Sequence, residues 1–159
     1  MARKDISMTP EELTEFLSSG AKFLQVATIG KDGSPHLAPM WFVLDDGKIV
    51  FRSFTKSQKI VNLKRDPRIT VLVEEGDSYE TLQGVMIKGT ARLIEDRDYV
   101  LELYGRVGAR YPFAGDTPVE LDPDALEAAF GRFAEKNTAV VVEPEKVTRW
   151  DHKKLGGAY

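Results

Sequence analysis

The sequence predicts a mainly β protein, a small antiparallel barrel with helices set around it. Three observations carry this. About six apolar, often β-branched runs follow one another and are mostly joined by short turns. Helical periodicity is confined to a few separate segments. No G-x-G-x-x-G follows a strand, which disfavours a doubly wound dinucleotide sheet. At 159 residues the chain suits one domain, 1–159, with a proper core.

Thr9-Pro10-Glu11-Glu12 predicts a helix start, with Thr as cap, Pro in the first turn and Glu three residues on. Leu13, Phe16 and Leu17 share its apolar face, and Gly20 ends it. Phe23 to Ile29 reads as a strand, with Gly30-Lys31-Asp32-Gly33 as a hairpin turn. His36 to Leu44 is a mostly apolar strand, which predicts cover on both faces. After Asp45-Asp46-Gly47 a strand over 48–54 leads into a short helix over 57–65. Asp66-Pro67 stops that helix, because the residue before proline is pushed out of the helical region.

Arg68 to Glu75 is β-branched and strand-like, and Leu82 to Ile94 is a long strand. Gly84 and Gly89 within it predict bulges or close backbone approach. Asp96 opens a helix with Val100, Leu103, Tyr104 and Val107 on one stripe. A loop rich in Gly and Pro separates it from a helix begun by Asp122-Pro123, where Leu126, Ala129, Phe130 and Phe133 repeat the spacing. Thr138 to Val142 returns as a strand, Pro144 interrupts it, and Val147 to Trp150 resumes.

Composition removes several functions. A net charge of −3 gives no electrostatic case for nucleic acid. Without cysteine there is no disulfide framework, thiol nucleophile or iron–sulfur cluster. No signal-peptide run and no membrane-length apolar stretch is present, so a cytoplasmic protein is the simplest reading. The two histidines, His36 and His152, lack metal-ligand spacing, and no G-x-S-x-G stands in the chain. The acidic pairs 11–12, 45–46 and 74–75 read as solvated structural residues, and His36 as a strand-packing one. An enzyme built this way leaves the chemistry to a bound cofactor and supplies position and electrostatics.

The densest chemical signal lies between residues 52 and 59. Ser53, Thr55 and Ser57 offer hydroxyls, and Arg52, Lys56 and Lys59 offer positive charge, at a helix start whose N–H groups favour an anion. These residue types allow a phosphate site beside an apolar sheet edge. They equally allow Ser57 or Thr55 to be plain helix caps and the lysines a solvated face. Trp41 reads as core or as a cofactor wall. Trp150, near the chain end, suggests docking on a partner subunit or a ligand.

The ordered segments Val26-Ala27-Thr28, Asp32-Gly33-Ser34-Pro35-His36, Asp46-Gly47-Lys48, Ser57-Gln58-Lys59, Asn62-Leu63-Lys64-Arg65-Asp66-Pro67-Arg68 and Gly89-Thr90-Ala91-Arg92-Leu93 resemble the pyridoxamine 5′-phosphate oxidase-like split β-barrel family. The resemblance implies a split antiparallel β-barrel of the FMN-binding-protein kind, and a homodimer with the cofactor at the subunit interface. Lys59 matches the family's phosphate-binding Lys. Arg52 and Ser53 match a cofactor-contacting pair, Gln83 (or Gly84) a cofactor-contacting Gln, and Trp150 a cofactor-adjacent Trp. Met40, Trp41 and Phe42 match the strand whose backbone lies against the ring.

Gln58 stands where the oxidases place an Arg, and the Arg that grips pyridoxal phosphate has no counterpart before Tyr159. The strand Pro39–Phe42 and the close from Trp150 to Gly157 are similar to the branch that uses the deazaflavin coenzyme F-420. Spread charges on Lys56, Lys59, Lys64 and Arg65 would suit its long anionic tail. The implied activity is an F-420-dependent oxidoreductase. The alternatives are an FMN-dependent enzyme on the same scaffold, or a protein that stores or senses the cofactor. Tyr159, His36 and water are candidate proton donors.

Overall fold

The computed structural model describes residues 5–156. Helix α1 (Pro10–Ser18) starts where the Glu12 N–H donates to Thr9 Oγ1 at 3.2 Å and the Thr9 N–H to the Glu12 carboxylate at 2.7 Å. Strands β1 (Leu24–Ile29) and β2 (Pro35–Met40) form the first hairpin, in register from Leu24 opposite Met40 to Ile29 opposite Pro35. Strands β3 (Val43–Asp45) and β4 (Lys48–Phe54) form the second. Its turn has positive φ at both Asp46 (48°) and Gly47 (73°), the two-residue geometry that suits the right-handed twist of its strands.

Helix α2 (Gln58–Arg65), strand β5 (Arg68–Glu75) and strand β6 (Gln83–Ile94) come next. Helices α3 (Arg97–Gly108) and α4 (Pro123–Ala134) begin at the Asp96 and Asp122 caps, and strand β7 (Asn137–Asp151) ends the sheet. Short 3-10 turns lie at Tyr79–Thr81 and His152–Leu155. No helix among the described residues is long and apolar enough to cross a membrane.

All seven strands form one antiparallel sheet in the order β2-β1-β5-β6-β7-β4-β3. Its two edge strands, β2 and β3, are joined by Trp41 and Phe42 alone. Laid flat, the edges would be about 29 Å apart, whereas that link spans at most about 11 Å. The sheet must therefore curl into a split barrel. The single strand predicted over 36–44 is thus two strands, broken where the chain crosses between edges. Cover on both faces fails for β2, whose residues alternate between exposed and half-buried, with Leu37 68% exposed.

Pro144 does not interrupt β7. It sits opposite Gly89, where the β6–β7 register shifts by one residue, a bulge that needs no N–H from proline. A Cβ on Gly89 would lie 1.9 Å from the Glu143 carbonyl oxygen, so the predicted close approach is real.

Alternation along β4 and β7 feeds two cores. Ile49, Phe51, Val140 and Val142 point into the barrel with Leu24, Val26, Ile69, Val71, Val73 and Val85, closed by Phe16 and Leu17 of α1 and Ile60 and Leu63 of α2. Val50, Ala139 and Val141 point outward beneath Val100, Leu103, Tyr104 and Val107 of α3. The α4 stripe is less well covered than its spacing predicts. Phe130 packs on Tyr104, but Phe133 stays 47% exposed. The acidic pair at 45–46 is also more than solvated. Tyr99 donates to Asp45 Oδ2 at 2.8 Å and Arg106 to Oδ1 at 3.1 Å, which holds the Asp45 carboxyl below its usual range and pins α3 to β3.

Candidate functional site

Strand β4 delivers a buried Ser53 beside the start of α2. Ser57 has the extended backbone of a helix cap, yet its hydroxyl makes no capping bond. It lies instead 3.0 Å from the Ser53 hydroxyl, which also accepts from Lys59 Nζ at 3.2 Å. The first turn of α2 has no acidic residue, and no described carboxylate pairs with Lys59. Burial lowers the Lys59 pKa from its ordinary value. Two hydroxyls, one ammonium and uncapped helix N–H groups are the donor set that an anion wants.

Two predicted members of this cluster are engaged elsewhere. Thr55 Oγ1 pairs with Thr138 Oγ1 at 2.8 Å and ties the turn to β7. The Gln58 amide donates to Asn62 Oδ1 at 2.8 Å, and Asn62, fully buried, donates to Thr28 Oγ1 at 3.0 Å. The sequence motifs contain Asn62 and Thr28 without giving either a role, although an Asn between the core residues Ile60 and Leu63 is a usable signal. Asn62→Leu should cost about 1–3 kcal/mol, because it strips the buried Thr28 hydroxyl of its donor. A urea midpoint equal to wild type would show that the network adds nothing.

On the other face of β4, Met40, Trp41 and Arg52 share a cleft of about 330 Å³ with Phe23, Pro39 and Val107. Trp41 is both core and wall: it stacks on Tyr111 (5.1 Å between centroids, 14° between planes) and meets Phe113 edge-on. The Arg52 guanidinium lies 3.3 Å from the centre of the Tyr104 ring, and burial pushes its pKa down to about 10. Its Nε is buried without a hydrogen-bond partner. Phe42 is 0% exposed inside the barrel, so its side chain does not line this cleft. Because side chains alternate along a strand, Arg52 and Ser53 point to opposite faces of β4.

Gln83 and Trp150 lie together at the far end of β6 and β7. Trp150 pairs with Gly84, where a Cβ would stand 2.3 Å from the indole, so the ring lies on bare backbone. Gln83 Oε1 accepts from Lys153 at 3.2 Å. Ser53 pairs with Thr138, twelve residues before Trp150 on β7. That is up to about 40 Å of strand contour. Trp150 and the Ser53–Lys59 pair thus lie toward opposite ends of β7. Tyr159 lies outside the described residues.

The sequence signature described as pyridoxamine 5′-phosphate oxidase matches residues 9–151, the whole sheet and all four helices. This chain belongs to the pyridoxamine 5′-phosphate oxidase family. The family is one of oxidoreductases with flavin-type cofactors. Over 92 residues the chain is 28% identical to the 5a,11a-dehydrotetracycline/5a,11a-dehydrooxytetracycline reductase of Streptomyces rimosus subsp. rimosus. That stretch is 54% of this chain and 63% of the relative, so the chain spans less than two thirds of it.

A conserved hypothetical protein of Mycobacterium tuberculosis is 35% identical with a TM-score of 0.86, covering 99% of this chain and 93% of that one. A solved F-420 reductase is 24% identical with a TM-score of 0.63, covering 84% and 94%, a likeness of fold alone. The family's split barrel thus accounts for where the sheet curls. The residues that sequence reading assigns to one site fall at three places on it: the α2 start, the Trp41 cleft and the Trp150 end.

Proposed function

We propose that the protein is a homodimeric reductase that uses reduced coenzyme F-420 to transfer hydride to a small unsaturated or aromatic acceptor. The observation that carries this reading is the turned-away Ser57. Its hydroxyl joins Ser53 and Lys59 instead of capping α2, which leaves an uncapped helix start facing a cation with no carboxylate nearby. These residues fit a phosphodiester. Lys59 and the two serines would hold it, and the wall of Met40 and Trp41 would keep water from the space where the ring and the acceptor meet. When bound, the reduced coenzyme supplies the hydride.

Two features support a dimer with the cofactor between its subunits. Trp150 near the end of β7 and Gln83 at the facing start of β6 lie at the opposite end of β7 from Thr138, the Ser53 partner, so a second copy would be the one to bring them to Lys59. The outward residues of β2 and the far half of β7 keep apolar surface exposed, notably Leu37 (68%) and Val147 (41%). Light scattering should give a dimer at micromolar concentration, and a monomer would count against this arrangement.

F-420 is favoured over FMN because the position beside Lys59 adds no second charge, Gln58 being held by Asn62. The spread of tail-binding charge is narrower than the sequence suggests. Lys64 pairs with Glu95 at 2.5 Å, and Arg65 donates to the Ile29 carbonyl, which leaves Lys56 beside Lys59. The test is titration of the purified protein with each cofactor, then stopped-flow oxidation of bound reduced F-420 by quinones, enones and nitroaromatics. F-420 should bind more tightly than FMN, and added salt should weaken it more. FMN retained in stoichiometric amount would make this an FMN enzyme. Acceptors that react no faster than with free coenzyme would make it a storage or sensing protein.

A further inference from the structure

Three arginines reach into the layer between the sheet and α3, and two of them have hydrogen-bond partners there. Arg106 donates to Asp45 Oδ1 at 3.1 Å and to the Leu44 carbonyl. Arg110 donates to the carbonyls of Gly20 (2.9 Å), Phe42 (3.2 Å) and Leu17 (2.7 Å). Arg52 has ring faces only, Tyr104 at 3.3 Å and Phe113 at 5.5 Å, with no ion pair or hydrogen bond to any described residue. A ring stacked on a guanidinium occupies its face and leaves the in-plane N–H fork free. That fork matches a planar oxyanion. An arginine kept partly buried without a counter-charge costs free energy, and an anionic ligand would offset that cost.

The surroundings narrow the ligand. Arg52 lines the same cleft as Met40, Trp41 and Phe23, so the cleft fits an anion carried on an apolar, ring-sized body. Trp41 is braced by Tyr111 and forms a rigid wall, while Phe23, 59% exposed, offers an apolar rim. The anionic part of a bound cofactor would already meet Lys59 on the opposite face of β4. Arg52 is surplus to that contact.

We infer that Arg52 anchors the carboxylate of the acceptor and thereby selects planar acceptors that carry one. The inference rests on the reductase reading for the hydride transfer to the bound acceptor, but not for the binding itself.

The test uses the cofactor-free protein and two isosteric probes, 2-naphthoate and 2-naphthamide, measured by equilibrium dialysis. Wild-type protein should bind the naphthoate about 10-fold more tightly or better, the worth of one charge-assisted contact. Arg52→Gln should abolish the preference, Arg52→Lys should keep part of it, and the F-420 dissociation constant of Arg52→Gln should stay within about 3-fold of wild type, well below the tenfold of a lost charged contact. Equal binding of the two probes by wild type overturns the inference without any variant, whether or not Arg52→Gln folds. A preference that survives in Arg52→Gln overturns it too, as does a loss of F-420 affinity in step with the naphthoate, since Arg52 would then hold the cofactor. If F-420 fails to bind while the naphthoate preference holds, the reductase reading falls and this one stands.

Discussion

Lys59→Ala is expected to weaken cofactor binding by about 10- to 150-fold, the range for one charge-assisted contact of about 1.5–3 kcal/mol. The ammonium is only partly buried, so solvent screening pulls the effect toward the lower end. The structural reason for a loss at all is that Lys59 stands without a carboxylate and donates to the Ser53 hydroxyl. Removing it takes away the cation and leaves Ser53 with Ser57 alone.

The pH dependence has a definite sign. Burial lowers the Lys59 pKa below 10.5, so anion binding should fade at a lower pH than a fully solvated lysine would allow. Between the lowered folded value and 10.5, the unfolded chain holds the proton that the folded chain has released. Stability of the cofactor-free protein therefore gains from this group as pH rises through that window. A bound phosphodiester opposes this by holding the proton on. Dissociation constants measured from neutral to alkaline pH should rise for wild type and stay flatter for Lys59→Ala. Equal affinity of the two proteins at neutral pH would reduce Lys59 to a solubilising residue.

Gly89→Ala is expected to cost on the order of 3 kcal/mol, at the upper end of overpacking effects. For a chain of this size that is a fall of about 6–12 °C in Tm. The added methyl would meet the Glu143 carbonyl oxygen at 1.9 Å and its carbon at 2.9 Å, both backbone atoms in a paired strand. No side chain can rotate away to make room. Relief requires β6 and β7 to separate at the bulge, and β7 is the strand that carries both the Ser53 partner Thr138 and Trp150. A melting temperature within a degree or two of wild type would show that the crossing has slack the structure does not suggest.

Much of the fold is legible in the sequence because its signals are local. The Thr9–Glu12 reciprocal cap, the Asp46-Gly47 turn, the Asp96 and Asp122 helix starts and the stop at Asp66-Pro67 depend on neighbours within about four residues. Strands β4 and β5 run over 48–54 and 68–75 as their patterns predict. The departures have a common source. An apolar run such as 36–44 reports that burial is possible, not which layer supplies it. Here its first half lies at one sheet edge and its second half at the other. Pro144 departs from expectation for the same reason: whether proline breaks a strand depends on the partner opposite, and that partner is a bulged Gly89.

The residues of the candidate site are legible as types, and their arrangement is not. The sequence alone determined that hydroxyls and cations gather at one helix start, that a Trp lies in an apolar strand, and that glycines mark close approach in β6. Only the tertiary structure decided that Ser57 turns to Ser53 rather than capping α2 and that Thr55 and Gln58 are claimed by Thr138 and Asn62. It alone placed Arg52 against Tyr104 on the far face from Lys59, and Trp150 on Gly84 at the other end of β7. The physical reason is the range of the forces involved. Backbone conformation answers to adjacent residues, whereas a polar side chain takes whichever partner the folded sheet brings within about 3 Å, and that partner can lie about eighty residues away.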